Sequence, residues 1–561
     1  MKNSLRAVLT ALAAAIVPFF FAAADSTAVM RHGRPLELPM SFASSYGELR
    51  HDHFHAGIDF RTGGRQGAPI YSIKDGYVSR VSVSITGYGN GIYVTHPDGT
   101  MSVYGHLSAF RDDIASRVLK EQYARRSYSV DIRLAPDEFP VKQGDMIGRV
   151  GNTGSSQGPH LHMEVRRDDG ATPFNYFRDG YYSLPDTQAP VIQRIAVYAF
   201  EDGSGIPVSR RLKMLHGNWS QSVISVPAKS YIAIDAIDRM DGSNGRLGVE
   251  KYRVLLDGRP LYELNIGDVP SSIDRYIRGA VAAGESGMDF IKTQVDPGNL
   301  FAMHKIEAAN GGIIELDDYQ RHTVAVEVSD IFGNKARAVM YLCRDDSVKD
   351  TSEPDERMSA IPMLWYAPNV LSIGELSVAM PLGALYNNVD FRYGKLSEPD
   401  TAAGIYSPVW QLGDERLPLH KPFTVSIPVG NEDRQLLASV GPGGRLTGAG
   451  GKVSGGVLRA QVRSGVYCVT RDTIAPVLRP VLRGGNKVAG SSFRISATDN
   501  LAGIASYEVL VDGEWTLASL KGNSITVYLS EDRHKRGRHI VEARAEDAVG
   551  NGTAISFEVI W

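Results

Sequence analysis

A chain of 561 residues is too long for one hydrophobic core and, at about 100 to 200 residues per domain, divides into roughly three to five. Its hydrophobic fraction of 43%, charged fraction of 22% and formal net charge of -3 belong to ordinary globular protein and give nucleic-acid binding no support. With only Cys343 and Cys468, a thiolate metal site is excluded, and the pair permits either one disulfide or two buried thiols.

Lys2 and Arg6 precede an uncharged, Ala-rich run over 7–24. Small residues at Ala22 and Ala24 fit cleavage before Asp25, so 1–24 reads as a signal peptide or, at this length, an uncleaved anchor. Export to the periplasm or cell envelope, or secretion, is expected, with no transmembrane segment in the mature protein. From 25 to 185, runs such as Ile70-Tyr71-Ser72-Ile73 and Gly91-Ile92-Tyr93-Val94 alternate between turn residues and predict antiparallel β structure. A charged amphipathic stretch over 112–126 predicts a helix inside an insertion at about 111–140.

Asp186-Thr187-Gln188-Ala189-Pro190-Val191 returns as Asp472-Thr473-Ile474-Ala475-Pro476-Val477. Val254-Leu255-Leu256-Asp257-Gly258 likewise returns as Val509-Leu510-Val511-Asp512-Gly513, and Asp330-Ile331-Phe332-Gly333-Asn334 as Asp547-Ala548-Val549-Gly550-Asn551. Two copies of one β-sandwich module are therefore expected at 186–345 and 472–561, similar to immunoglobulin-like domains. A further β domain is expected between them, at 346–471. The fold class is mostly β. Asp238, Asp330, Asp499 and Asp547 read as turn formers beside Asn and Gly rather than as calcium ligands.

Of 14 histidines, eight fall before residue 163, which puts any metal chemistry in the first domain. On an extended chain even spacing keeps side chains on one face, as in His55-Ala56-Gly57-Ile58-Asp59 and His160-Leu161-His162. His55, Asp59 and His162 would make a two-histidine, one-carboxylate site with an open fourth position. His160 and the rim residue His106 are left for proton transfer near neutral pH. His51 and His53 share the parity of His55 and are alternatives to it. Glu164 follows on the face of His162 as a hydrogen-bond partner for a ligand or as a salt-bridging surface residue. Arg50 and Asn90 read as solvated side chains or as substrate contacts, and His96 has no assigned role.

The set His55-x-x-x-Asp59, Tyr104-x-His106-Leu107, Lys142-x-Gly144-Asp145 and Gly158-x-His160-Leu161-His162-x-Glu164 resembles the lysostaphin-type zinc metallopeptidases, the peptidoglycan endopeptidase family, over about 35–178. The resemblance implies Zn2+ on His55, Asp59 and His162, with His106 and His160 catalytic. It also implies hydrolysis of peptide cross-links or stem peptides of peptidoglycan by a zinc-activated water. Two other functions remain open: a non-catalytic or latent cell-wall regulator on the same fold, and a peptidase acting on a non-wall protein. No H-E-x-x-H motif occurs, which excludes a thermolysin-like helical site. The long stretch 110–140 is expected to wall the substrate groove.

Overall fold

A computed structural model describes residues 32–561 apart from 51, 204, 222, 284–288, 349–357, 415–416, 431–432 and 483–484. The expected leader at 1–24 and His51 lie outside the described residues.

The alternating runs of the first domain become short strands: β1 (Phe42–Ser44), β2 (Ile58–Arg61), β3 (Pro69–Tyr71), β4 (Gly76–Val83), β5 (Gly91–Thr95) and β6 (Met101–Gly105). After β7 (Ala109–Phe110) and helix α1 (Asp112–Arg125) come β8 (Val130–Arg133), β9 (Pro140–Val141), β10 (Met146–Arg149), β11 (His160–Arg166) and β12 (Pro173–Phe174). One sheet has the order β1-β2-β11-β6-β5-β4-β8, and a smaller one the order β3-β10-β7. In β4 the buried residues shift from Val78 to Val81 and Val83 because the pairing with β5 bulges between Val78 and Arg80. One extra residue thus resets which side chains face the core.

The helix forms where its periodicity places it. Ile114, Val118 and Gln122 make its buried stripe, Asp112 and Asp113 favour its first turn, and Arg126 ends it in a left-handed conformation. Within the insertion, β8 pairs with β4, at the opposite end of the sheet from β1 and β2.

Beyond the first domain the chain is almost entirely β. Val191–Glu201 pairs with Lys229–Met240, and Arg321–Ser329 lies between Lys251–Leu256 and Lys335–Arg344. Equivalent pairings recur when Val477–Val481 joins Ser492–Thr498 and Arg538–Asp547 lies between Ile504–Val511 and Gly552–Ile560. The intervening region has a sheet of six strands and one of five around their own apolar core. Cys343 and Cys468 are both free thiols. Among the described residues no helix is long and apolar enough to cross a membrane.

One packing feature departs from the linear domain plan. A single hydrophobic cluster runs from Leu36 in the first domain to Leu342 at the end of the next, with Phe54 against Phe301 at 5.2 Å between ring centroids. The last unit also folds back onto the insertion: Trp515 meets Tyr123 of α1 edge to face at 5.2 Å, and Tyr528 stacks on Tyr128, just past the helix, at 6.0 Å.

Candidate active site

Strand register builds the site. β11 runs antiparallel between β2 and β6, which sets His162 opposite Asp59 on one side and Gly105 on the other. His160 and His162 share a face of β11, as period-two alternation requires. His55 arrives differently from expectation. It precedes β2 instead of lying on it, so a bend at Ala56 and Gly57, and not strand parity, brings it to Asp59. His53 is left outside, exposed and paired with Asp52 at 2.7 Å.

Two glycines make room for the His162 ring. A Cβ at Gly57 would stand 2.8 Å from its Cε1, and one at Gly105 would stand 3.4 Å from its Cβ and Cδ2. Into this space converge His55 Nε2, Asp59 Oδ1 and His162 Nδ1, with His55 to Asp59 at 3.1 Å, His162 to Asp59 at 2.9 Å and His55 to His162 at 3.0 Å. A tetrahedral zinc site with bonds of about 2.0–2.1 Å separates its ligand atoms by about 3.3 Å. The nitrogen and oxygen donors present here fit that ion.

The far side of each ring fixes which nitrogen faces the cluster. His55 Nδ1 donates to the Ser45 carbonyl at 2.8 Å, leaving Nε2 as the donor atom toward a cation. His162 Nε2 donates to Glu164 Oε1 at 2.9 Å, leaving Nδ1. Glu164 is itself buried and held by Arg166 at 2.7 Å and by the Tyr88 hydroxyl. Burial alone would raise the Glu164 carboxyl, but Arg166, His162 and Tyr88 bring it down to about 2. Burial likewise disfavours charge on His162, yet Asp59 and Glu164 lift it to about 9. Asp59 is held well below the usual carboxylate range, since three imidazoles outweigh its burial.

His106 follows β6 with a φ of 65°, a left-handed conformation uncommon outside glycine. Its N–H donates to the Tyr88 carbonyl at 2.8 Å, and its ring Nδ1 donates to the Thr153 carbonyl at 2.9 Å. Burial first, then the neighbouring His162 and His160, push it down to about 3, so the ring is neutral. His160 Nδ1 donates to the Gly158 carbonyl at 2.8 Å, and its Nε2 lies 3.4 Å from Asp59. The His106 and His160 ring centroids are 4.8 Å apart, beside the His55, Asp59 and His162 cluster.

Arg50 is not simply solvated: it donates to Ser44 Oγ at 2.6 Å and stands 3.6 Å from Asp59 Oδ2. Asn90 is also engaged, donating to the Leu107 carbonyl at 3.0 Å. His96 is a core residue, bonded to the Asp75 carbonyl and to Ser102. Sequence reasoning missed Arg166, although its position two residues past Glu164 on the same strand face signalled it. It also missed Tyr88 and Thr153, which lie in loops without any periodic signal.

Residues 53–124 and 129–175 match peptidase family M23. The N-terminal domain is a peptidase family M23 domain. Residues 361–472 match the Zu5-like domain. The DD-carboxypeptidase/endopeptidase Mpg of Neisseria meningitidis serogroup B is 34% identical over 112 residues, 20% of either chain. The peptidoglycan DD-endopeptidase ShyC of Vibrio cholerae is 31% identical over 110 residues, 20% of this chain and 19% of its own. The chain thus spans about a fifth of the length of these curated relatives. Among solved structures, the catalytic domain of the prophage-encoded M23 protein EnpA from Enterococcus faecalis is 29% identical, with 24% of this chain and 85% of that one covered and a TM-score of 0.18.

Proposed function

We propose that this chain is an exported zinc metalloendopeptidase that hydrolyses peptide cross-links or stem peptides of bacterial peptidoglycan. The observation that carries the reading is the convergence of His55 Nε2, Asp59 Oδ1 and His162 Nδ1 beside two further imidazoles in a family M23 domain. Its relatives include proteins named as peptidoglycan or DD-endopeptidases, and the apolar run after Lys2 and Arg6 supports export.

In this reading His55, Asp59 and His162 hold the ion, which when bound supplies Lewis acidity toward water and the scissile carbonyl. Ser45, Glu164 and Arg166 keep the ligand rings in the productive orientation. His106 and His160 face the attacking water. With their Nδ1 protons committed to the Thr153 and Gly158 carbonyls, each has Nε2 left for it. Held down to about 3, the His106 imidazole accepts a hydrogen bond from the water and orients it, while His160 takes its proton and returns it to the leaving amine nitrogen. The positive φ of His106 is the kind of backbone strain that aims a catalytic side chain.

A latent enzyme is the second reading. Lys521, in the last unit, donates to the Gly154 carbonyl at 2.7 Å, next to the Thr153 carbonyl that holds His106. Digestion of purified peptidoglycan separates the readings, with fragments identified by mass spectrometry for the zinc-loaded chain, the chelated chain and His162→Ala. Zinc-dependent loss of cross-linked dimers, absent from His162→Ala, is the expected outcome. Intact peptidoglycan with full zinc occupancy would overturn the endopeptidase reading in favour of a latent enzyme or a non-wall substrate.

A further inference from the structure

Six aspartates outside the peptidase site come together in two groups of three. Asp186, Asp238 and Asp330 each place an oxygen within 4.8 Å of the others, and so do Asp472, Asp499 and Asp547. Turn formation accounts for only part of this. Asp330 Oδ1 accepts from the Phe332 and Asn334 amides at 2.8 and 2.9 Å, and Asp547 Oδ1 from those of Val549 and Asn551 at 2.9 and 2.8 Å. Those bonds shape each hairpin but give no reason to bury two more carboxylates against it.

The decisive atom is Asp238 Oδ1. Asp238 is only 6% exposed, and this oxygen, shut off from solvent, has no hydrogen-bond partner. Asp186 Oδ2 in the same group, on a half-buried residue, also lacks a partner; in the other group Asp499 Oδ1, likewise on a half-buried residue, and Asn551 Oδ1, on a residue only 4% exposed, lack one too. Among the described residues no lysine or arginine forms an ion pair with any of the six. Leaving a buried carboxyl oxygen without a partner costs free energy, and burial pushes the Asp238 carboxyl up to about 8; orphaned oxygens at matching places in both units imply a ligand.

The two groups share one frame. Asn334 Nδ2 donates to Asp330 Oδ2 at 2.8 Å and to the Asp186 carbonyl at 3.2 Å; Asn551 Nδ2 donates to Asp547 Oδ2 at 2.6 Å and to the Asp472 carbonyl at 2.9 Å. The donors are oxygens only, with no imidazole or thiol, which selects a hard cation over zinc. Three carboxylates from separate segments, with no octahedron preset, suit calcium, which takes about six to eight oxygens, better than magnesium.

We propose that the chain binds two calcium ions, one at Asp186, Asp238 and Asp330 and one at Asp472, Asp499 and Asp547. Each lies where the chain enters a repeated β unit, so the cation ties the entering segment to a core strand and to the closing hairpin. Calcium thereby fixes the angle at which each unit leaves its predecessor.

The test is calcium titration of the full-length, zinc-loaded chain by isothermal calorimetry, with thermal unfolding in parallel. Two ions per chain are expected, with dissociation constants on the order of 10⁻⁵ to 10⁻³ M and a calcium-dependent rise in Tm. Asp238→Asn and Asp499→Asn each reduce the stoichiometry to one, and the double variant abolishes binding and the Tm rise. His162→Ala, which leaves both aspartate groups intact, still binds two. The near-isosteric Asn substitutions remove a buried charge and are expected to fold, as circular dichroism checks; should one fail, the other single variant carries the test by halving the stoichiometry. No binding up to about 10 mM calcium, or undiminished binding by Asp238→Asn and Asp499→Asn, would overturn the proposal. Equal affinity for magnesium would overturn the choice of calcium.

Discussion

At His162 the ring is held from both sides, by Asp59 at Nδ1 and by Glu164 at Nε2. Glu164→Gln keeps the size of the acceptor but loses its charge, so zinc affinity is expected to fall about 10- to 100-fold. Competition with a chromophoric chelator measures this, and excess zinc should restore hydrolysis. In the ion-free protein the two carboxylates hold a proton on His162 up to about 9. An incoming cation must displace that proton, so apparent zinc affinity should rise about tenfold per pH unit from pH 6 to 8 and level off only above the pKa. Chelator titrations across that range would expose a flat profile if the assignment is wrong. His106→Ala, by contrast, is expected to retain zinc while kcat drops about 10²- to 10⁴-fold. His55 with Asp59 and His160 with His162 stood out by their even spacing, and the motif set that resembles a known family assigned roles to them and to His106. Tyr88 was not, because a loop tyrosine carries no mark of the buried carboxylate it meets.

Among the elements, β3 and β5 were readable from alternation, and α1 from its charged, amphipathic pattern, which buries Ile114, Val118 and Gln122. The approach of His55 was not, since it depends on a bend and on a neighbour far along the chain. Ser45 links these scales: its carbonyl accepts from His55, and its hydroxyl accepts from the amide of Gly248 in the following domain at 2.9 Å. A Cβ at Gly248 would lie 2.6 Å from Glu48 Cα, so Gly248→Ala must displace the loop that carries Ser45. A loss of about 1–3 kcal/mol in stability is expected, together with faster zinc loss to a chelator. Thermal unfolding and metal-release kinetics check the two effects, and a normal release rate would show that the loop moves without disturbing His55.

For the whole molecule, the sequence suggested separate units in a row, because the repeats at 186–345 and 472–561 are regular. Contacts distant in sequence, such as Phe54 with Phe301 and Lys521 with Gly154, have no local signature. If Lys521 braces the loop that holds His106, Lys521→Met should lower kcat several-fold without changing zinc content, whereas a latent enzyme would gain activity; steady-state turnover distinguishes them. The apolar cluster from Leu36 to Leu342, separate from those of the third and last units, has a calorimetric consequence. Four folded regions should absorb heat in three cooperative transitions, because the peptidase domain and its neighbour melt as one body. Phe301→Ala, expected to cost about 3–5 kcal/mol, would therefore lower the inactivation temperature of an active site to which Phe301 contributes no atom.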